Sequence, residues 1–90
     1  MLYRIITEKI NNKTTGQPQR TIDLVSKFFS GFTVLYGTGH YKGMEEDCII
    51  FEIETVKAKS EILWLANQIK LQNNQESVLV QQIKSEANFI

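Results

Sequence analysis

The sequence predicts a small α+β domain, a ferredoxin-like βαββαβ sandwich with two helices on one face of a four-stranded antiparallel sheet. Three observations predict it. Four short runs carry strand alternation or strand composition, two longer runs place apolar residues three and four apart, and their order along 90 residues is the order that closes as this fold. A chain of this length holds one two-layer core, so residues 1–90 form a single domain with a short tail at 85–90.

The elements follow in order. Leu2 to Glu8 alternates as a strand, with Tyr3 and Ile5 on one face and Leu2 and Ile6 on the other. Asn11 to Gln17 holds no apolar residue and leads to the only proline, Pro18, which predicts a solvated loop and a helix starting there. Ile22, Val25, Phe28 and Phe29 recur at helical spacing, Leu24 widens the stripe, and Ser30-Gly31 stops the helix. Phe32 to Tyr36 begins a second strand rich in aromatic and β-branched residues. Cys48 to Ile53 is the most apolar run and suits a central strand.

A second helix is expected to start between Thr55 and Ser60, where hydroxyls cap free amides, and to run through Ala58, Ile62, Leu65, Ala66 and Ile69. Asn73-Asn74 ends it, and Ser77 to Ile83 supplies the last strand. Right-handed crossovers then place the first and third strands in the middle and the second and fourth at the edges. Trp64 falls off the apolar stripe of the second helix, which marks it for a subunit contact.

Ten basic and ten acidic residues give zero formal net charge, which argues against general binding of nucleic acid or anionic membranes. Neutrality and the apolar ending Ala87 to Ile90 predict self-association, so a homo-oligomer is expected. The single cysteine, Cys48, reads as a buried thiol in a reducing compartment. Met1 to Ile6 lacks the leader pattern of a signal peptide, and no stretch approaches the ~20 apolar residues that span a bilayer. The expected location is cytoplasmic, with no membrane partner.

Chemistry concentrates in Gly37-Thr-Gly-His-Tyr-Lys-Gly43. Its glycine spacing is neither the dinucleotide fingerprint nor the phosphate loop, and it joins strand to strand where those open a helix. Two readings stand: an anion-binding nest of backbone amides, or an extended hairpin whose glycines only permit a bulge or twist. In the first, Gly37, Gly39 and Gly43 free the backbone, Lys42 supplies charge, and Tyr36 or Tyr41 stacks on a base. His40 is the only histidine, so a metal centre is not expected, and no cofactor is called for. Glu45 or Glu46 across the hairpin could orient His40, or bind ribose hydroxyls. Arg4 in the first strand and Arg20 at the start of the first helix are further candidates for a phosphate or carboxylate.

The phrase Gly31 to Gly43, followed by Glu45-Glu46 and an apolar strand, resembles short uncharacterised proteins encoded by bacteriophages and mobile elements. Asn73-Asn-Gln-Glu-Ser-Val-Leu-Val80 is similar to their closing strand, and the likeness spans Thr21 to Ile83. The resemblance implies a phage context. There, small oligomeric proteins sequester nucleotide signals of bacterial immune systems.

The leading expectation is therefore a non-enzymatic oligomer that binds a nucleotide-like ligand through the Gly37 to Gly43 hairpin. The alternative is an interaction module that inhibits or adapts a host protein through an edge strand or the tail. A hydrolase using His40 with Glu45 or Glu46 is disfavoured, since one histidine and no usable cysteine nucleophile leave little machinery. RNA binding on the sheet ranks lower, because Ile49, Phe51 and Ile53 read as core.

Overall fold

Leu2–Glu8 (β1) buries Tyr3, Ile5 and Thr7 and leaves the residues between them less covered, as its alternation predicts. The computed structural model describes residues 1–8, 18–88 and 90, and at Tyr41 the backbone alone. The expected loop from Asn11 to Gln17 lies outside the described residues. The other elements are Pro18–Ser26 (α1), Thr33–Tyr41 (β2), Met44–Glu54 (β3), Lys59–Gln72 (α2) and Leu79–Ile83 (β4). All four strands pair antiparallel in the order β2-β3-β1-β4, an α+β fold consistent with a ferredoxin-like arrangement. The first and third strands are central, as expected.

One face of this sheet meets the helices. Ile5, Ile49, Phe51 and Ile53 pack there against Val25 of α1 and Ile62, Leu65 and Ile69 of α2, all with no measurable exposure. These apolar side chains are the main source of stability, each contributing roughly 1.5–3 kcal/mol on burial. The opposite face carries no helix among the described residues. There the register aligns Leu35, Ile50, Ile6 and Leu79 in one row across all four strands. Thr33, Glu52, Arg4 and Gln81 form the row on one side of it, and Gly37, Cys48 and Glu8 the row on the other.

Four expectations need correction. α1 ends at Ser26, and the Lys27 and Phe28 amides donate to Leu24 and Val25 at 3.2 and 3.0 Å, a tightened last turn. Phe28 therefore leaves the helical stripe and is exposed. Ala58 is the N-cap of α2 and makes no side-chain cap; the Thr55 hydroxyl instead accepts from the Lys57 amide at 3.0 Å, in the turn before the helix. Cys48 is half-buried on the open face, because the buried positions of β3 are 49, 51 and 53 and Cys48 alternates away from them.

The end of α2 is well specified. Asn74 takes φ 52°, and the amides of Asn74 and Gln75 donate to Leu71 at 3.3 Å and Lys70 at 3.0 Å. This is a Schellman motif, which satisfies carbonyls that the last helical turn would leave open. A buried polar cluster then holds the following loop. The Thr7 hydroxyl donates to Gln75 Oε1, while Asn73 Nδ2 donates to Thr21 Oγ1 at 3.1 Å and to Gln75 Oε1 at 3.2 Å. One network thus ties β1, α1 and the α2–β4 loop together.

Candidate functional site

Among the described residues β1 pairs with β3 as far as Glu8, opposite Cys48, whereas β2 and β3 continue together to Tyr41 and Met44. The hairpin therefore extends past the described end of β1 as a ribbon of β2 and β3. Its register is unbroken from Thr33–Glu52 to Tyr41–Met44, so of the two readings the extended hairpin holds, without a bulge. Lys42 and Gly43 close it with φ 53° and 77°, the positive pair that a two-residue type I′ turn requires. Of the segment 37–43, residues 37–41 are thus strand and only Lys42 and Gly43 form the turn.

Gly37 and Gly39 occupy consecutive open-face positions of β2. Glycine weakens a strand interior and there marks a bulge, a tight bend or a close approach by a ligand or another backbone. The register removes the bulge, and neither residue has positive φ. Internal crowding is also absent: a Cβ at Gly37 would meet Cys48 Sγ at 3.6 Å and Ile50 Cδ1 at 3.7 Å, and one at Gly39 the Glu46 carbonyl at 3.8 Å. These are ordinary contacts, so alanine would fit at both. A nest needs amides turned by left-handed backbone, and at these two positions the chain runs extended in the ladder. What remains is a strip of bare backbone.

At Gly39 the strip borders a cavity of about 460 Å³ between the ribbon, the end of β1 and the α2–β4 loop. Gly39, Cys48, Ile50, Ile6 and Leu79 give it an apolar side. Thr7, Thr38, His40, Gln75 and Ser77 give it hydrogen-bonding groups. Glu8, Glu46, Asp47 and Glu76 add carboxylates, and no lysine or arginine is among the described lining residues. Burial, and then the charges of Glu46 and Glu76, hold the Glu8 carboxyl above the usual range. The lining comes from four separate stretches of the sequence, 6–8, 38–40, 46–50 and 75–79.

The predicted residues distribute as follows. Gly37 and Gly39 lie on the open face, and His40 stands on the other face of the ribbon, opposite Glu45 in register. Tyr36 shares that second face and is 59 % exposed. Lys42 and Gly43 form the ribbon tip. The Tyr41 side chain, and with it the stacking role expected there, lies outside the described residues. Arg4 sits on the open face two residues from Ile6, its Nε donating to Glu52 Oε2 at 2.6 Å. Arg20 is exposed on α1, in the layer over the opposite face. Arg4, Arg20 and Lys42 are thus at three separate places and do not converge within one chain.

Sequence reasoning missed Thr7 and Gln75. Both are nearly fully buried, and the signal was a polar side chain on the core face of β1 and a glutamine just after a helix stop. Among the described residues no three His, Cys, Asp or Glu side chains converge as a metal-ligand set. No helix of the described residues is long and apolar enough to cross a membrane. No protein family, no curated protein and no solved structure matches the chain.

Proposed function

We propose that this chain is a non-enzymatic, homo-oligomeric binding protein of the cytoplasm that takes a nucleotide-like ligand at the glycine strip and the adjoining cavity. The observation that carries the reading is the pair Gly37 and Gly39, which no bulge, positive φ or packing demand among the described residues accounts for. A flat ring laid on bare backbone gains close contact that any side chain would block. Ile50 and Cys48 floor the neighbouring strand, and the carboxylates beside the strip accept hydrogen bonds from base amines or ribose hydroxyls. The phosphates of such a ligand lie outside this acidic lining. Sequestering a nucleotide signal, the role that the phage resemblance implies, needs tight binding and no chemistry.

The test is calorimetry with a panel of nucleosides, nucleotides and cyclic dinucleotides against wild type, Gly37→Ala and Gly39→Ala. Each alanine variant is expected to melt higher, since alanine is favoured over glycine in a strand by roughly 0.5–1 kcal/mol. Each is also expected to lose at least about tenfold in affinity, equivalent to 1.4 kcal/mol. A ligand that binds all three proteins equally overturns the reading.

A second reading has one specific observation behind it. On the helix side, Phe28 and Trp64 are 37 % and 49 % exposed and meet edge to face at 4.9 Å between centroids. Exposed aromatic pairs of this kind anchor protein interfaces. If the chain captures a host protein there, Trp64→Ala removes capture, while the glycine variants leave it unchanged.

A further inference from the structure

β2 is an edge strand, with β3 on one side and no described strand on the other. Edges of this kind are normally blunted by charges, proline or a bulge. Residues 33–41 hold no proline, lysine, arginine or carboxylate, and the ladder to β3 runs through all nine of them without a bulge. On the helix side Tyr36 is 59 % exposed, so no described helix overhangs the middle of the edge. The two-residue turn fixes which groups the edge presents. It makes Tyr41 and Met44 a hydrogen-bonded pair, so the odd residues of β2 turn their amides and carbonyls to β3, and Val34, Tyr36, Thr38 and His40 turn theirs outward.

We propose that this edge pairs antiparallel with the β2 edge of a second copy, about a two-fold axis normal to the sheet that passes between the two Gly37 residues. The two four-stranded sheets then run on as one of eight strands. What favours a copy of this strand over a foreign one is that β2 matches itself. Centring the pairing on Gly37 sets every residue of 33–41 opposite another: Thr33 opposite Tyr41 of the partner subunit, Val34 opposite the partner's His40, Leu35 opposite the partner's Gly39 and Tyr36 opposite the partner's Thr38. Even residues oppose even ones, so outward amides meet outward carbonyls. Sliding by two residues either way keeps that match but pairs only seven of the nine. On the open face a leucine lies opposite a bare glycine, and on the other face Tyr36 meets a β-branched residue, a favourable cross-strand pair.

The competing arrangements fit less well. An axis along the strands would set side chains of opposite faces abreast, against the pleat. The other edge, β4, spans five residues, and joining β2 to it is a head-to-tail contact that does not close as a pair. The pairing also bears on the cavity. Leu35 of the partner subunit comes to stand beside Gly39 on the open face, which adds an apolar wall at the outer border of the cavity that Gly39 lines. Close approach of another backbone is one of the uses of glycine within a strand. The pairing does not rest on the ligand reading.

Sedimentation equilibrium of the ligand-free full chain, together with cysteine trapping, tests it. Wild type is expected to show a monomer–dimer equilibrium and no larger species. Thr38→Pro removes an outward amide, which an edge strand tolerates. It is expected to keep the circular dichroism of wild type and to weaken the dimer at least about tenfold, the scale of two lost hydrogen bonds. In a Cys48→Ser background, Gly37→Cys is expected to form an intermolecular disulfide under mild oxidation, since the pair at the axis lies about 4.5 Å apart between Cα atoms, within disulfide reach. Thr33→Cys in the same background, with position 41 opposite it, is expected not to link. A wild type that stays monomeric or grows into larger assemblies, a Thr38→Pro dimer of wild-type affinity, failure of the position-37 link, or a position-33 link that forms as readily overturns the proposal. Should Thr38→Pro fail to fold, the two cysteine variants decide alone.

Discussion

At the scale of single residues, the ribbon holds backbone conformations that side chains tolerate unevenly. Lys42 takes φ 53° beside Gly43 at 77°, and a non-glycine residue in that region costs about 1–2 kcal/mol unless something local offsets it. Lys42→Gly is therefore expected to raise the melting temperature, and Lys42→Val, branched at Cβ, to lower it by more. Thermal melts of the two variants check this; a lower melting temperature for Lys42→Gly would mean that a contact of the lysine outweighs its backbone strain. The sequence showed three closely spaced glycines but not their separate roles. Gly43 serves the turn, whereas Gly37 and Gly39 serve a surface, and that distinction needs the register, which is a long-range property.

Among the elements, strands were legible where a buried face imposed alternation, as in Tyr3, Ile5 and Thr7 or Ile49, Phe51 and Ile53. In the ribbon they were legible only as one of two open readings, an extended hairpin. Thr38 to Tyr41 and Met44 to Asp47 carry a glycine and three acids that are poor in strands, and they pair because a type I′ turn matches the twist of the two strands. Helix ends show the same division. Asn73-Asn74 announced the stop of α2, yet its start carries no hydroxyl cap. The stop itself is testable. Asn74 sits at the left-handed position of a Schellman motif, so Asn74→Gly is expected to stabilise the protein and Asn74→Ala to destabilise it by about 1 kcal/mol. Urea unfolding measures both, and equal midpoints for the two variants would contradict the motif's contribution.

Over the whole molecule, strand order followed from chain order and connection rules, and the candidate site did not. Its walls come from β1, the ribbon and the α2–β4 loop, which meet only after Thr7, Asn73, Gln75 and Thr21 lock together. The sheet is also electrically uneven along its strands, which sets a pH dependence. At one end, the Ser85 hydroxyl donates to Glu54 Oε1 at 2.7 Å, and this bond, with the nearby N-terminal ammonium, lowers the Glu54 pKa. A lowered carboxyl binds fewer protons folded than unfolded, so its stabilisation is present above its unfolded value of 4.5 and is lost as pH falls through the folded one. At the other end the Glu8 carboxyl is raised, so its ionisation opposes folding as pH rises from 4.5 through the folded value. Ser85→Ala is expected to lower the melting temperature at pH 7 and Glu8→Gln to raise it. Both differences should shrink toward zero at a pH below both folded values, where the carboxylates are protonated. Differences that persist unchanged at that pH would show that the two substitutions act through packing and not through charge.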